Sequence, residues 1–373
     1  MAQSIQVSQT EKRILGLFPW FGEESTGGVQ LSGRLGWQGI VQANDGDGSE
    51  AAQLFCYYPS GELLKRAPAA NMTVATSRLD ALAKAVRRRW PAGRVLIWHI
   101  DLLKLLPFLG IGQARVALFL HSIEVWRDTG RLNHRLLNRV DLFLSNSGHT
   151  WQRFLAYHPW LAAAQRTVHL GVGTALPGPT PAYDGLIPAV LMVSRLARGE
   201  DYKGHREMIR AWPLVQQSIP EAQLWIAGEG DLRPELEQMV RELGLERTVR
   251  FRGWVSEEQK QRLLEQCRCL AMPSRGEGFG LVYLEAMRLG RPCLVSTLDA
   301  GREVVNPPEA GLAVDPDDSQ ALAEALCRLL TPGPEWERWS RQARSRYEAH
   351  FTARHYQERL VSALWGGPGG GWG

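Results

Sequence analysis

Residues 269–290 read CLAMPSRGEGFGLVYLEAMRLG, and their pattern is the clearest indication of the architecture. The first residues form a short apolar run, typical of a strand that is buried on both faces of a parallel sheet. A turn with Gly276, Gly278 and Gly280 follows, and a helix is predicted from about Leu281. The stretch therefore predicts one strand–turn–helix unit, with the turn at the carboxyl end of the strand.

Short apolar runs of the same kind recur along the whole chain and alternate with helix-like segments. Examples are RVALFLH at 115–121 in the first half and AVLMVSRL at 189–196 in the second. This alternation predicts repeated βαβ units, and so an α/β fold with two Rossmann-like, doubly wound domains. The segment 173–188 is rich in Gly and Pro and has no periodic pattern, which predicts an interdomain linker.

The domain organisation follows from these segments. The predicted parts are an N-terminal domain (1–172), the linker (173–188), a C-terminal domain (189–350), a C-terminal helix that crosses back to the first domain (351–366) and a disordered tail (367–373). The end of the chain is predicted to be helical from about Ser319 to Trp365. Two such domains are expected to face each other across a cleft, with ligands at the carboxyl ends of the strands.

The composition excludes several classes of protein. With 373 residues, 44% of them apolar and 22% charged, the chain is neither disordered, collagenous nor a coiled coil. No stretch approaches the roughly 20 apolar residues that span a bilayer, and the N-terminus MAQSIQVSQTEKR has no apolar signal core. Five cysteines without framework spacing indicate reduced thiols, so we expect a cytoplasmic protein.

Charge is distributed unevenly along the chain. Residues 1–172 carry 19 Lys and Arg against 12 Asp and Glu, whereas residues 173–373 carry 24 against 27. The basic half suggests either an anionic partner or only a solubilising surface. No nucleic-acid-binding motif is present, so no nucleic-acid partner is predicted. The basic and apolar stretches 82–90 and 103–113 suggest contact with an anionic membrane, although solvated helix faces explain them as well.

The glycine-rich turn also carries candidate site chemistry. The backbone amides of Gly280, Leu281 and Val282 at the predicted helix start would suit a diphosphate. Glu277 and Glu285, eight residues apart, suit the hydroxyl groups of a sugar or ribose, because carboxylates accept hydrogen bonds. The alternative is a capped helix with two solvated glutamates, which the full Glu-Gly-Phe-Gly-Leu pattern disfavours.

This Glu-x7-Glu segment resembles the donor-site signature of retaining glycosyltransferases of family four, which have the GT-B fold. The resemblance extends over about residues 13–365. It implies transfer of a sugar from a nucleotide diphosphate sugar to a glycan, lipid-linked or small-molecule acceptor. A UDP-sugar is the preferred donor and GDP-mannose the alternative. It implies no cofactor and no metal ion, and the Asp-x-Asp sequence at 45–47 lies in a Gly-rich loop away from the end of a predicted strand.

The resemblance assigns roles in the second half. Arg195 and Lys203 of SRLARGEDYKG would offset the charge of the leaving diphosphate, although alone they could be surface cations. Glu277 would bind the transferred sugar. The implied donor-binding residues of this half are Gly228, Trp254, Val255, Gly278, Phe279, Gly280, Leu281 and Glu285, with Glu285 on the ribose. Stacking on the base and core or rim packing both remain open for Trp254.

The first half supplies three further candidates. Gly27 and Gly28 resemble the family's glycine loop near the donor phosphate, although an ordinary tight turn would look the same. His121 in LFLHSIEVW resembles the histidine that faces the transferred sugar, and it completes the implied catalytic set with Arg195, Lys203 and Glu277. Relatives often carry Gly where this chain has Ser122. Glu124 would either orient His121 or cap a helix.

The implied mechanism is front-face departure and attack, in which the leaving phosphate takes the acceptor's proton and His121 orients. Two alternatives stay open. A nucleotide-sugar epimerase or hydrolase of the same architecture would turn over the donor without an acceptor. A non-enzymatic sugar-nucleotide-binding protein would have the cleft and no turnover. For localisation we expect the cytoplasm, with peripheral contact at the inner face of the membrane as an option.

Overall fold

The computed structural model describes residues 13–19, 27–44, 51–57, 71–178 and 187–366. The predicted tail at 367–373, the middle of the predicted linker at 179–186 and the Asp-x-Asp sequence at 45–47 lie outside the described residues. The chain divides into two compact units. The first contains Met1–Gly171 and Ala353–Gly373, and the second contains Val172–Thr352.

The first unit is built on a seven-stranded parallel sheet with the order β3-β2-β1-β4-β5-β6-β7. Its strands are β1 (Ile14–Pro19), β2 (Ala52–Tyr57), β3 (Met72–Ala75), β4 (Arg94–Ile97), β5 (Arg115–Leu120), β6 (Leu142–Ser145) and β7 (Ala164–Thr167). Its helices up to this point are α1 (Gly28–Asn44), α2 (Arg78–Arg87), α3 (Gly130–Leu137), α4 (Gly148–Tyr157) and a 3-10 helix (Ile100–Phe108).

The second unit is built on a six-stranded parallel sheet with the order β10-β9-β8-β11-β12-β13. Its strands are β8 (Ala189–Val193), β9 (Gln223–Ala227), β10 (Val249–Gly253), β11 (Cys269–Met272), β12 (Cys293–Ser296) and β13 (Gly311–Val314). Its helices are α5 (His205–Ser218), α6 (Arg233–Glu242), α7 (Glu257–Gln266), α8 (Leu281–Arg288), α9 (Gly301–Val305), α10 (Ser319–Leu330), α11 (Pro334–His350) and a 3-10 helix (Arg198–Lys203).

Both sheets are doubly wound, which confirms the predicted fold class. In the first sheet the strand order reverses between β1 and β4, and in the second it reverses between β8 and β11. Loops that leave such neighbouring strands diverge to opposite faces and open a crevice at their carboxyl ends. In the second unit, the segments after β8 and β11 flank this crevice.

The C-terminal region, predicted to be helical from about Ser319 to Trp365, consists of three helices. Gly333, with φ at 143°, separates α10 from α11, whose first residue is Pro334. The last helix, α12 (Ala353–Trp365), is part of the first unit. It packs on α1 within that unit, where the Tyr356 hydroxyl donates a 3.0 Å hydrogen bond to the Ser32 carbonyl.

Edge strands are where the sequence prediction of the first sheet fails. The apolar run TVHLG at 167–171 predicts a strand there, but β7 ends at Thr167 and lies at one edge of the sheet. The opposite edge strand, β3, was not predicted. Edge strands need fewer buried apolar residues than central strands, so their sequence pattern is weaker.

Within the described ranges, none of the helices has both the length and the hydropathy that a membrane-spanning helix requires.

Candidate functional site

In the glycine-rich turn after β11, the backbone lies close to a tyrosine ring at two positions. Gly280 has φ at +86° and precedes the first residue of α8. A Cβ atom on it would lie 2.3 Å from the Tyr283 ring, and one on Gly276 would lie 2.7 Å from the Tyr202 ring. Glycine is therefore required at both positions, and the turn brings the N-terminus of α8 to the crevice with its first amides outside the helical hydrogen-bond pattern.

Lys203 and Glu277 form an ion pair beside this turn. Lys203 Nζ lies 2.8 Å from Glu277 Oε2, and the two side chains are only 14% and 19% exposed. Burial alone would lower the pKa of Lys203, but the charges of Glu277 and Tyr202 outweigh it and raise that pKa. The structure therefore brings together two of the four residues implied as catalytic, Lys203 and Glu277.

The close approach of these two side chains depends on Gly204. This residue ends the 3-10 helix that carries Lys203, and its φ is +87°. A Cβ atom here would lie 2.5 Å from the carbonyl oxygen of Pro273, directly after β11. Lys203 can therefore reach Glu277 only because residue 204, which lies against the end of β11, is a glycine and has no side chain.

Glu285 does not join Glu277 but pairs with a lysine from another helix. It lies on α8, and its Oε1 is 2.9 Å from Lys260 Nζ of α7. Burial raises the pKa of Glu285, and Lys260 opposes that rise. The second oxygen, Oε2, is buried without a hydrogen-bond partner among the described residues. A buried acceptor of this kind is suited to a hydroxyl donor of a ligand.

The other implied cation, Arg195, is placed differently from Lys203. It follows β8, its side chain is 80% exposed, and it pairs with Glu200 of the neighbouring 3-10 helix. Tyr202, whose ring lies 5.2 Å from Lys203 Nζ, also feels the charge of Arg195. Arg195 is thus exposed to solvent, whereas Lys203, eight residues later in the chain, is mostly buried.

The turns after β9 and β10 lie together at the carboxyl edge. Gly228 has φ at +142°, a Cβ on it would collide with the Ser194 carbonyl at 1.8 Å, and its N–H donates to the Gly253 carbonyl. Trp254 follows and is 66% exposed, so the structure excludes core packing for this side chain. Val255 is half-buried beside it.

Gly278, Phe279 and Leu281 complete the implied donor-binding set. All three belong to the turn after β11 or to the start of α8. The Phe279 ring is 2% exposed and packs edge-on against Phe351 at 6.1 Å. Phe279 therefore anchors the turn by its side chain, and only its backbone can contribute to a ligand site.

In the first unit, His121 follows β5 and is 3% exposed. Its Nε2 lies 2.8 Å from the Trp98 carbonyl oxygen, and its ring stacks on Phe119 at 4.8 Å. Burial lowers the pKa of His121 to about 4, while Glu124 and the Trp98 hydrogen bond act the other way. The imidazole is therefore neutral at pH 7. Since a carbonyl can only accept, Nε2 carries the proton and Nδ1 remains an acceptor.

Glu124 organises the loop that holds His121. Its Oε1 accepts hydrogen bonds from the backbone N–H groups of His121, at 2.8 Å, and Ser122, at 3.0 Å. The two roles predicted for Glu124 were to orient His121 or to cap a helix; its hydrogen bonds hold the backbone of His121 and Ser122, and no described helix begins there. Gly27 and Gly28 lie at the start of α1, where the Leu31 N–H bonds to the Gly27 carbonyl at 2.9 Å.

Four polar residues of the second-unit site were not singled out from the sequence: Tyr202, Lys260, Ser274 and Asp299. Asp299 follows β12 and is 1% exposed. Its Oδ2 accepts hydrogen bonds from the Ser274 hydroxyl at 2.6 Å and the Glu277 N–H at 3.2 Å. The signal that could have found it is the apolar run PCLVST at 292–297, which Asp299 follows after one residue.

The sequence of the second unit matches that of a known family. Residues 187–332 match the family model described as glycosyl transferases group 1. The O-antigen chain mannosyltransferase C of Escherichia coli is 34% identical over 140 residues, which cover 37% of this chain and 38% of that protein. The phosphatidyl-myo-inositol mannosyltransferase of Mycobacterium leprae is 36% identical over 151 residues, which cover 40% and 38%. The chain thus matches less than half of the length of these relatives.

Solved structures are similar over nearly the whole chain. Anabaena Alr3699/HepE in complex with UDP has a TM-score of 0.74 at 19% identity and covers 94% of this chain and 99% of that one. Sucrose-phosphate synthase from Thermosynechococcus elongatus has a TM-score of 0.73 at 19% identity and covers 94% and 98%. The chain has the GT-B fold that its sequence predicted, and residues 187–332 of its second unit are similar to the glycosyl transferases group 1 family.

Breaking the Lys203–Glu277 pair should destabilise the second unit. We expect Lys203→Met to lower the free energy of unfolding by about 3 kcal/mol, because it leaves a buried carboxylate without its cation. The double variant Lys203→Met, Glu277→Gln should recover part of this loss. Urea unfolding at pH 7 measures both.

Arg354→Met serves as the matched control, because Arg354 and Glu358 form an exposed pair. It should leave the unfolding curve unchanged, since exposed ion pairs contribute little. A single Lys203→Met variant as stable as the unmodified protein would contradict the account of this pair, as would a double variant no more stable than the single one.

Proposed function

We propose that this protein is a retaining glycosyltransferase that transfers a sugar from a nucleotide diphosphate sugar to an acceptor hydroxyl. The observation that carries the proposal is the Lys203–Glu277 pair beside a glycine-rich turn and a helix N-terminus, in a group 1 glycosyl transferase domain. Two of the relatives are named as mannosyltransferases, and one structural neighbour is a complex with UDP.

The diphosphate of the donor is proposed to lie against the N-terminus of α8. The free amides and the helix dipole at that end favour an anion. Lys203 supplies a buried positive charge on one side and Arg195 an exposed one, so that both offset the charge that develops on the departing phosphate. Because this chain provides those cations itself, we propose that catalysis needs no metal ion.

The nucleoside and the sugar are proposed to lie on either side of the diphosphate. The unpartnered Oε2 of Glu285 accepts a ribose hydroxyl, while Lys260 holds the other oxygen. The exposed Trp254 offers its face to the base. Glu277, held in place by Lys203, accepts hydrogen bonds from hydroxyl groups of the transferred sugar. Uracil is the preferred base and guanine the alternative.

His121 is proposed to orient the sugar and not to act as an acid. At neutral pH it carries no charge, and its one N–H is committed to the Trp98 carbonyl. In the proposed front-face reaction the bond from the anomeric carbon to the phosphate oxygen breaks. The acceptor oxygen then bonds to the same face of that carbon, and its proton passes to the leaving phosphate. The anomeric configuration is therefore retained.

A lipid-linked acceptor at an anionic membrane is the acceptor class that the first unit favours over a free glycan or small molecule. On α2, Leu79 is 81% exposed and Val86 is 63% exposed, beside exposed Arg87 and Arg88. The 3-10 helix that packs against α2 adds Phe108, which is 45% exposed. Exposed apolar side chains flanked by arginines suit the interface of an anionic bilayer.

A donor screen tests the proposed activity. The purified chain, without added metal, is incubated in turn with UDP-glucose, UDP-galactose, UDP-N-acetylglucosamine and GDP-mannose, and release of nucleoside diphosphate is measured. We expect slow release from one donor, at least tenfold less in Glu277→Ala, because the sugar loses its anchor. Glu324→Ala, a surface glutamate on α10, should release it at the unmodified rate.

The other outcomes of the screen separate the competing functions. Free sugar or an epimer as the sole product, with no stimulation by any acceptor, would indicate a hydrolase or epimerase. Failure to bind UDP or GDP would indicate that the protein is not a glycosyltransferase. Activity abolished by EDTA and restored by magnesium would overturn only the proposed metal independence.

Vesicle flotation tests the membrane contact. The protein is expected to float with vesicles of phosphatidylglycerol and phosphatidylcholine, and not with phosphatidylcholine alone, with binding reduced by 0.5 M salt. Arg87→Glu, Arg88→Glu should abolish flotation, whereas the same charge change at Arg241 and Arg247 in the second unit should not. Absence of flotation with anionic vesicles would refute the contact.

A further inference from the structure

We propose that Asp299 is a positioning residue of the donor site, whose ionised carboxylate holds the backbone of the turn that presents Glu277. The inference deepens the proposed function and rests on it for the meaning of the site. Asp299 has no place in the implied catalytic or donor-binding set, and the structure gives it no direct access to solvent, since it is 1% exposed.

The Asp299 carboxylate is the acceptor in each of its hydrogen bonds. Oδ2 accepts from the Ser274 hydroxyl at 2.6 Å and from the Glu277 N–H at 3.2 Å. Oδ1 accepts from the Gly301 N–H at 2.9 Å. An ionised carboxylate can accept all three, and such bonds are stronger than those to a neutral acceptor.

The segment that contains Asp299 forms hydrogen bonds with both the backbone N–H and the backbone carbonyl of Glu277. The Glu277 N–H donates to Asp299, and the Glu277 carbonyl accepts from the Ala300 N–H at 3.1 Å. Ser274 extends the contact, because its hydroxyl oxygen also accepts from the Gly276 N–H at 3.3 Å. The loop after β12 thus fixes the backbone from which the Glu277 side chain reaches Lys203.

The strength of these hydrogen bonds depends on the protonation state of Asp299. Burial raises the pKa of Asp299 to about 7, the Ser274 hydrogen bond opposes that rise, and the charge of Glu277 adds to it. Asp299 in turn acts on Tyr283 of α8, whose pKa is raised well above the ordinary value mainly by burial and further by the charge of Asp299, so Tyr283 stays neutral. A protonated Asp299 has one acceptor fewer for the same three donors.

The effect of Asp299 on the free energy of unfolding changes with pH in the opposite direction to its effect on the turn. The folded-state pKa of Asp299 lies above the ordinary aspartate value of 3.8. The contribution of this group to stability is therefore greatest below that ordinary value and is lost as the pH rises through about 7. The ionised form that organises the turn is thus the form that burial disfavours, as expected where a site is optimised for function rather than for stability.

Hydrogen exchange tests the positioning role without requiring activity. Exchange of the backbone amides of residues 276–282 is followed by mass spectrometry at pH 8 and pH 6 and corrected for intrinsic rates. We expect Asp299→Asn to lose at least tenfold of the protection at pH 8. Protection in the unmodified protein should fall from pH 8 to pH 6, and in Asp299→Asn it should not. Asp318→Asn, which removes the carboxylate cap of α10, is the matched control and should change nothing in these residues.

The pH profile of nucleoside diphosphate release is the second measurement. The unmodified protein should lose activity below about pH 7, Asp299→Asn should show a low and flat profile, and Ser274→Ala should shift the midpoint to higher pH. That shift is expected because the lost hydrogen bond favoured the charged form. Ser274→Ala also serves if Asp299→Asn fails to fold.

The outcomes separate the two claims. Unchanged protection of residues 276–282 in Asp299→Asn, or an unshifted profile in Ser274→Ala, would overturn the role of Asp299 while leaving the glycosyltransferase proposal intact. Loss of protection in a protein that turns over none of the donors would support the role of Asp299 in the turn and count against the proposed function.

Discussion

A buried ion pair between Lys203 and Glu277 is the interaction on which the arrangement of the second unit's site depends. The two side chains come from segments 74 residues apart and are mostly withdrawn from water. Neither charge is tolerable there alone, because an unpaired buried ion is strongly destabilising. Gly204 and Gly280 are required by the same constraint, since they let the two segments and the helix N-terminus approach one another.

The three carboxylates of this site differ in their partners and therefore in their chemistry. Among the described residues, Glu277 pairs with one lysine, Glu285 pairs with another through Oε1 and has no hydrogen-bond partner for Oε2, and Asp299 accepts hydrogen bonds from a hydroxyl and two amides. Glu277 is suited to fix its lysine, Glu285 to accept a hydrogen bond from a ligand, and Asp299 to titrate near neutral pH. Three carboxylates at the same edge of the sheet thus have different properties because their surroundings differ.

The sequence predicted what depends on local pattern and missed what depends on long-range contact. Central strands such as β8 and β11 are continuous apolar runs and were found, whereas the edge strands β3 and β7 were not. Glu277 and Lys203 were identified through their motifs. Lys260 was missed because nothing near it in the sequence marks it, and Asp299 because its position after a buried strand is a weak signal. Only the fold brings these residues to Glu285 and Glu277. Polar residues that directly follow buried strands carry this information in weak form.

A crystal structure of the full chain with a bound nucleoside diphosphate tests the central claim most directly. Crystals soaked with UDP, and separately with GDP, should show the diphosphate within hydrogen-bond distance of the Leu281 and Val282 amides and of Lys203 Nζ, with a ribose hydroxyl on Glu285. A nucleotide bound elsewhere on the second unit, with the Lys203–Glu277 pair and the turn untouched, would contradict the account.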